Sequence, residues 1–445
     1  MIGTVDPVRR FKTALTGSPG TPLVLVGNFD VEEQWSVDEP GLPRPALSRS
    51  ALLTHCLGEF ALLLAGSDDH VVLKASPDET YLAHLKRLGL ELPRISVVVN
   101  PAQDRTVTED ALADPALLAD LAHAARRGAR LWPHGVSAAE ELLAERTGVE
   151  LAGPSARVCK TVNSKIYSRT ISADLGIRQP PGMVCASVAD FEAACATVQD
   201  WLAAGRTVVL KDAYGVSGKG LLVVSAEGRL GLLRRMIHRQ SVRLGTDRLS
   251  LVMEEWLPKR ADLNYQFTLG RDGAVHFDFV KGARTEAGVH KGHLMPAELS
   301  SAHRAELVEV CELLGTRLAA DGYSGVVGVD AIVTTDGVLQ PVIEINARNN
   351  LSTYQERLSR LWSGDGQVAI ATHHSLAPRP SVSFAEFARP FADLVLAPGA
   401  RAGVLVINFA TVGAGRLYVI VVGESRTQVD ALDREMSGRL AAYST

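Results

Sequence analysis

Two acids and an amide in the region 330–346 have the types and spacing of a divalent-cation site. Asp330 lies in the apolar stretch GVVGVDAIV, and Glu344 and Asn346 follow in the stretch VIEIN. Side chains alternate between the two faces of a strand, so Glu344 and Asn346 share one face. Carboxylate and amide oxygens of this kind suit Mg²⁺ shared with nucleotide phosphates. An alternative is a structural carboxylate pair held by Arg348.

The two stretches are predicted to form an antiparallel hairpin around the turn TTDG, residues 334–337. A connection of three residues, 336–338, places Asp330 directly opposite Glu344. A two-residue turn would shift the pairing by one and put the two acids on opposite faces. Because an unpaired carboxylate in an apolar strand is costly, we predict the three-residue connection, with Ile343 and Ile345 pointing into the core.

A second candidate site is the stretch RTVVLKDAYGVSGKGLLVV, residues 206–224, which reads as strand, glycine-rich loop and strand. Lys211 ends the first strand. The loop supplies Gly215, Ser217, Gly218, Lys219 and Gly220. Closely spaced glycines expose backbone N–H groups that bind phosphate oxygens, although an ordinary glycine turn has the same composition. The spacing fits neither the Walker loop, GxxxxGK followed by Ser or Thr, nor the kinase loop, whose glycines precede the lysine.

Three neighbouring segments complete the region. Residues 162–175 form an amphipathic helix that begins at Asn163 or Ser164 and carries Lys165. Residues 249–257, LSLVMEEWL, form an apolar strand that ends in polar groups. Between the glycine loop and that strand, residues 230–244 form a basic helix, which is most simply a solvated face. Its charged residues are Arg234, Arg235, His238, Arg239 and Arg243.

Composition limits the classes of function. The chain has 445 residues, 46% of them hydrophobic and 22% charged, and a net charge of −4. This balance argues against a general nucleic-acid or membrane role. We expect a cytoplasmic protein, because no apolar run has the length of a membrane span. The five cysteines are scattered without a CxxC pair, so we expect buried thiols rather than disulfides or zinc ligands.

Residues 1–152 alternate short apolar strands with helical segments, which predicts a parallel sheet covered by helices. Gly27 follows the first strand, but no GxGxxG motif accompanies it, so a dinucleotide site is poorly supported. We interpret this unit as a packing domain that supplies one wall of a cleft.

Taken together, these parts resemble the ATP-grasp superfamily over residues 155–375. The matching parts, in chain order, are Lys165, Lys211, the glycine hairpin, the EEWL segment, Asp330, and Glu344-x-Asn346-x-Arg348. The resemblance implies an α/β and α+β fold in three units. These are a Rossmann-like domain (1–152), an ATP-grasp domain of two α+β subdomains (153–378) and a small ββα domain (379–445).

The resemblance implies ATP and Mg²⁺ as cofactors and assigns residues to them. Lysines and the loop would hold phosphates, Glu254 would face the adenine amine, Glu255 and Leu257 would contribute main chain, and Asp262 would bind ribose. The implied nucleotide contacts are Lys165, Lys211, Gly215, Ser217, Gly218, Lys219, Glu254, Glu255, Trp256, Leu257 and Asp262. The implied metal ligands are Asp330, Glu344 and Asn346.

The implied activity is amide-bond formation through an acyl phosphate, with release of ADP and phosphate. Lys211 and Arg348 would act on the transferring phosphoryl group, and Arg284 would grip a substrate or the oxyanion, with His290 and Lys291 behind it. The layout, including the ββα tail, is similar to the pheganomycin-type peptide ligase of secondary metabolism. That likeness implies a guanidino-phenylglycine type acid and a peptide N-terminal amine as substrates, with no nucleic-acid or membrane partner.

Several alternatives stay open. Another ATP-grasp carboxylate–amine or carboxylate–thiol ligase, or a non-catalytic ATP-binding regulator, has the same fold, and a homodimer is compatible with it. The position two residues before Asp330 is Gly328, whereas the D-alanine ligase branch carries Arg there, which weakens that assignment. A guanidinium-bearing donor would need an acidic or aromatic pocket, for which the N-terminal candidates are Asp30, Glu32, Glu33 and Trp35.

Overall fold

The computed structural model describes residues 7–43, 51–215, 220–286, 289–362, 364 and 366–443. Its N-terminal unit contains the predicted parallel sheet, with strand order β3-β2-β1-β4. The strands are β1 (Leu23–Val26), β2 (His70–Leu73), β3 (Arg94–Val97) and β4 (Arg130–Pro133). The β1 and β2 side chains are buried on both faces, as expected for a parallel sheet covered by helices.

Helices cover this sheet and follow the capping signals of the sequence. They are α1 (Pro7–Thr16), α2 (Val31–Trp35), α3 (Ala51–Cys56), a 3₁₀ helix (Leu57–Leu63), α4 (Glu79–Arg87), α5 (Val107–Leu112), α6 (Pro115–Arg126) and α7 (Ala138–Thr147). Thr106 and Glu109 form a reciprocal capping box that starts α5. Gly148 ends α7 in the left-handed conformation, at φ 72°.

A second, antiparallel sheet with strand order β5-β8-β6-β7 contains the predicted strands on either side of the glycine loop. Its strands are β5 (Gly182–Ser187), β6 (Val208–Asp212), β7 (Leu221–Val224) and β8 (Arg248–Glu255). The helices of this region are α8 (Ala156–Val162), α9 (Lys165–Asp174), α10 (Val188–Ala203) and α11 (Glu227–Leu244). The helix that the sequence predicts for residues 162–175 therefore begins at Lys165 in the structure. Asn163 ends α8, and Ser164 is the N-cap of α9.

The third sheet is antiparallel, with strand order β13-β12-β9-β10-β11-β14-β16-β15. Its strands are β9 (Lys259–Leu269), β10 (Val275–Glu286), β11 (Val289–Met295), β12 (Gly325–Thr334), β13 (Leu339–Asn346), β14 (Val368–Ser375), β15 (Gly403–Asn408) and β16 (Arg416–Gly423). The accompanying helices are α12 (Ser301–Ala320), α13 (Leu351–Gln355), α14 (Phe384–Ala388), α15 (Arg426–Tyr443) and 3₁₀ turns at Glu356–Leu361, Arg389–Phe391 and Ala410–Ala414. No helix in the described ranges is both long and apolar enough to cross a bilayer.

The C-terminal tail has the predicted order of two strands and a helix, but its strands extend the third sheet. Strand β16 pairs with β14 along its whole length. The tail also packs on the N-terminal unit, where the buried Glu59 carboxylate accepts from the backbone N–H groups of Phe409 (2.6 Å) and Ala410 (2.9 Å). Apolar residues of both ends of the chain, such as Phe60 and Ile420, belong to one core.

The hairpin of β12 and β13 has the predicted pairing but reaches it by a different route. Asp330 lies directly opposite Glu344. Near the turn, however, Val333 pairs with Leu339, and a bulge between Asp330 and Ile332 shifts the register by two residues. A shift of two preserves the face of each side chain, so the two acids still meet.

Strand β11 approaches β14 so closely at Gly292 that only glycine fits. Gly292 has φ +149°, and an added Cβ would lie 1.9 Å from the carbonyl oxygen of Ala371. We expect Gly292→Ala to lower the free energy of unfolding by about 2–4 kcal/mol, because the strands must separate. Urea unfolding monitored by circular dichroism measures this change.

Gly438 is the matched control, because it lies inside α15 with no atom within 4 Å of an added Cβ. Gly438→Ala should leave stability unchanged or raise it by up to about 1 kcal/mol. Equal stability of Gly292→Ala and the wild type would show that β11 and β14 are not in this register.

Candidate active site

Apart from Lys165 and Arg284, the predicted site residues that the structure describes line a cleft of about 700 Å³ between the second and third sheets. One wall comes from β6 and the segment after β8, through Lys211 and residues 254–257. The opposite wall comes from the hairpin of β12 and β13. Phe29 and His134 of the N-terminal unit line one part of it, so this unit does supply a wall of the cleft.

Asp330, Glu344 and Asn346 meet on the cleft side of the hairpin. Asn264 Nδ2 donates to Asp330 Oδ1 (2.9 Å), and Asn346 Nδ2 donates to Asp330 Oδ2 (3.3 Å). Burial, followed by the nearby Glu344 carboxylate, raises the pKa of Asp330 to about 6. Two carboxylates that face each other in a poorly solvated place require compensating positive charge.

Part of that charge comes from Lys165, whose predicted role as a phosphate ligand stays a prediction. Lys165 is the first residue of α9, and its ammonium lies 2.8 Å from Glu344 Oε1. The same ammonium donates to the carbonyl of Gly215, at the start of the glycine loop (3.1 Å). Lys165 therefore connects the hairpin to the start of the glycine loop.

The donor set fits Mg²⁺, for which carboxylate and amide oxygens are suitable ligands. Asp330 and Glu344 would each supply a carboxylate oxygen. In this structure Asn346 Oδ1 accepts from Arg348 (3.0 Å), so the amide must reorient before this oxygen can join them. The described part of the chain contains no group of three or more His, Cys, Asp or Glu residues that could hold a metal, and this trio, with two acids and an amide, is not such a group.

Lys211 lies on the opposite wall and is fully buried with Glu254. Its ammonium forms an ion pair with Glu254, and Arg169 Nη1 contacts the second oxygen of that carboxylate at 3.3 Å. Burial lowers the pKa of Lys211 to about 7, although Glu344 acts in the opposite direction. The Glu254 side chain thus contacts two basic groups, and its predicted contact with the adenine amine stays a prediction.

The predicted adenine and ribose residues line the same cleft. The Glu255 N–H donates to Pro181 O and the Trp256 N–H to Thr207 O, both at 2.8 Å, which fixes the segment to the residues that precede β5 and β6. Asp262 accepts from Thr285 Oγ1 (2.6 Å) and pairs with Lys259 (2.5 Å). The nucleotide roles of Glu255, Trp256, Leu257 and Asp262 stay predictions. Ser217, Gly218 and Lys219 lie outside the described residues.

Arg348 lies at the junction of the cleft and the N-terminal unit. Its guanidinium donates to Asn346 Oδ1 and to the carbonyl of Asn349 (3.1 Å), and it forms an ion pair with Glu32. Its buried Nε has no hydrogen-bond partner among the described residues.

Arg284 is not brought into the cleft, contrary to the prediction. Its neighbours Ala283 and Thr285 line the cleft. The Arg284 Nη1 atom instead lies 3.9 Å from Asp433 Oδ2 on α15. Alternation along β10 explains this placement. Lys291, predicted to lie behind Arg284, lines the cleft itself together with His293. The structure does not describe the side chain of His290.

Ile343 also differs from the prediction. Ile345 is fully buried in the core, but Ile343 lines the cleft. Ile343 lies between the two pairing registers, in the bulge that separates Asp330–Glu344 from Ile332–Gln340. The bulge interrupts the alternation on which the prediction depended.

Sequence reasoning missed an aromatic cluster at the N-terminal side of the cleft. Phe29 stacks on His134 with ring centroids 4.1 Å apart, and His134 Nδ1 is 2.9 Å from the Tyr354 hydroxyl. Burial and the charge of Arg348 keep the pKa of His134 well below its usual value, so the ring is neutral. The tail strand β16 adds Arg416 and Tyr418 to the cleft. These residues are far apart in sequence and belong to no motif.

The N-terminal candidates for a guanidinium pocket are dispersed. Trp35 is buried, and its Nε1 donates to Val136 O (2.9 Å). Glu32 pairs with Arg348 and, like Glu33, lines a groove outside the cleft. Burial, with a smaller contribution from Glu140, raises the pKa of Asp30 to about 6. The four side chains therefore form no common pocket.

Comparison with known proteins identifies the fold. Residues 59–149 match the family model described as the Pre ATP-grasp domain. Biotin carboxylase from Campylobacter jejuni superposes with a TM-score of 0.55 at 15% identity, over 88% of this chain and 90% of that chain. An N5-carboxyaminoimidazole ribonucleotide synthetase in complex with ADP gives 0.55 at 11% identity, over 94% and 96%. The chain has the ATP-grasp fold. The predicted fold class and the resemblance to that superfamily are confirmed at this level.

One curated relative is closer in sequence than these ATP-grasp structures. It is the [butirosin acyl-carrier protein]–L-glutamate ligase of Niallia circulans, 29% identical over 296 residues. The match covers 66% of this chain and 64% of the relative.

Proposed function

We propose that the protein is an ATP-dependent ligase that activates a carboxylic acid as an acyl phosphate and transfers the acyl group to a nucleophile. The observation that supports this most is the hairpin trio Asp330, Glu344 and Asn346, which lines one cleft together with Lys211, while Lys165 forms an ion pair with Glu344. Mg²⁺ would supply charge neutralisation between the phosphates and the trio. The solved structures with the same fold include complexes with ADP and with an ATP analogue.

The side chains of the site would act by positioning the substrates and by supplying charge. Phosphoryl transfer depends on alignment and on stabilisation of spread negative charge more than on covalent chemistry by the protein. Lys211 would hold phosphate oxygens in the cleft, and Lys165 would do so from its position beside Glu344. Arg348 would bind the acyl-phosphate oxygens through its unpartnered Nε–H, while Glu32 holds the guanidinium plane in place. The neutral aromatic cluster around His134 would exclude water from the acyl phosphate.

Two nucleophiles are candidates. The predicted layout favours the N-terminal amine of a peptide, with an amino-acid-like carboxylate as the acyl donor. The relative from Niallia circulans is named for an acyl-carrier protein as acceptor, which favours a thiol on a carrier protein. Both routes share the acyl phosphate and release ADP and phosphate.

Oxygen-18 transfer tests the shared step. The enzyme, Mg²⁺ and ATP would be incubated with a panel of amino acids carrying ¹⁸O in the carboxyl group, with hydroxylamine as the trapping nucleophile. We expect acid-dependent ADP release and one ¹⁸O atom in the released phosphate, because a carboxylate oxygen attacks the γ-phosphate. Release of AMP, or phosphate without label, would contradict the proposal.

The pKa of Lys211 gives a prediction for nucleotide binding. The ammonium has a pKa of about 7, and neighbouring phosphates would raise it. Binding of MgADP at pH 8 should therefore take up close to one proton, and affinity should fall as pH rises from 7 to 9. Calorimetry in buffers of different ionisation enthalpy measures the uptake.

Lys160→Met is the control for this measurement, because Lys160 pairs with Glu39 at 2.8 Å outside the cleft. It should retain the proton uptake, whereas Lys211→Met should lose it. Equal uptake by both variants would show that Lys211 does not meet the phosphates.

A further inference from the structure

Helix α11 presents a two-row surface that the proposed reaction does not use. Arg235, Arg239 and Arg243, spaced by four residues, form one row. The neighbouring row consists of Leu232, Met236, Gln240 and Leu244. Leu232, Met236 and Leu244 are 51%, 38% and 50% exposed. Arg234, by contrast, is paired with Glu192, and the three arginines of the first row make no ion pair with any described residue.

This surface borders a groove of about 1490 Å³, whose opposite side is the segment 36–43. The segment is fixed in place: Ser250 N–H donates to Pro40 O (2.8 Å), Gln240 Nε2 to Gly41 O (3.0 Å), and Leu42 N–H to Asp212 Oδ1 (2.6 Å). Acids lie on the segment side and arginines on the helix side. The positive charge therefore belongs to the helix face, which extends beyond the groove.

The groove and the catalytic cleft meet at two places. Gly215 lines both. Glu32 lines the groove, and its ion-pair partner Arg348 lines the cleft. A flexible chain lying in the groove would therefore end beside the residue to which we assign the acyl phosphate.

We propose that the exposed face of α11 binds an acidic helix of a small carrier protein, whose thiol-bearing arm lies along the groove and reaches the cleft near Arg348. This inference rests on the proposed function. The rows from Leu232 to Leu244 extend about 18 Å, which matches a helix rather than a free amino acid. Arginine and methionine beside exposed leucines are typical of protein interfaces, and the unpaired arginines complement an acidic partner.

The chemistry balances without a further reactant. The thiol sulfur forms a bond to the acyl carbon, and the bond from that carbon to the phosphate oxygen breaks. Phosphate leaves with the electron pair, and the thiol proton passes to solvent. The products are a thioester on the carrier protein and inorganic phosphate.

Binding of a defined probe tests the surface. The probe is the holo form of the butirosin acyl-carrier protein, labelled with a fluorophore and titrated with the full-length enzyme at low salt. We expect saturable binding that weakens as salt is added, and a dissociation constant at least about ten-fold higher for the double variant Arg239→Glu/Arg243→Glu. Arg229→Glu is the matched control, because Arg229 is exposed on the same helix but does not line the groove. It should change the constant less than about two-fold.

Three results would overturn the inference. The first is that the probe does not bind to the wild-type enzyme. The second is that Arg229→Glu weakens probe binding as much as the double variant does. The third is that short peptides support ADP release although the probe does not bind. Failure of the proposed function is seen separately, as absence of acid- and hydroxylamine-dependent ADP release by the wild type.

Discussion

Replacing Glu344 by glutamine is expected to lower ADP release by about 10³-fold or more while the fold is retained. Glutamine keeps the shape of the side chain but removes the charge that faces Asp330 and pairs with Lys165. Glu344 would be one of the residues that hold Mg²⁺, so its loss would weaken the neutralisation of the charge that develops on the phosphates. Steady-state ADP release at saturating Mg²⁺ measures the loss, and a thermal unfolding scan checks the fold.

Glu312→Gln is the control, since Glu312 is exposed on α12 and far from the cleft walls. It should keep wild-type activity. A Glu344→Gln enzyme with more than about a tenth of wild-type activity would rule out Glu344 as a ligand of the catalytic metal.

Replacing Arg348 by lysine should reduce ADP release by about 10²- to 10³-fold, although the charge is conserved. The guanidinium contacts Asn346, Asn349 and Glu32 at once and still has Nε–H to donate. A lysine ammonium is a point charge that cannot hold this forked geometry. Single-turnover measurements with ¹⁸O-labelled acid would show whether the phosphoryl-transfer step itself is slowed.

Arg284→Lys is an informative control, because the sequence predicts a catalytic role for Arg284 and the structure places it beside Asp433. We expect activity within about three-fold of the wild type. If Arg284→Lys were as impaired as Arg348→Lys, the sequence prediction would be right and the placement of Arg284 outside the cleft would be wrong.

The local parts of the site could be predicted because each depends on strand or helix periodicity. The pairing of Asp330 with Glu344 follows from alternation and from the cost of burying an unpaired carboxylate. The position of Lys165 follows from a helix start beside Ser164. The bulge between Asp330 and Ile332 was not predicted, although Pro341, which lies in the extra stretch 341–343 of the opposite strand, is the kind of residue that marks a bulge.

The roles of charged loop and strand residues were harder to predict. Arg284 stands one position away from two residues that line the cleft, so a single step in register decides its side. Glu32 meets Arg348 across more than 300 residues of chain, a contact that no local pattern encodes. The same applies to Tyr418, which reaches the cleft only because β16 joins β14.

Crystals grown with ADP and Mn²⁺ would test most directly whether the cleft is the nucleotide site, because manganese is located by its anomalous scattering. The account predicts one manganese peak within coordination distance of both Asp330 and Glu344, with the adenine ring against residues 254–257. A peak away from the hairpin of β12 and β13, or ADP bound in the N-terminal unit, would contradict it.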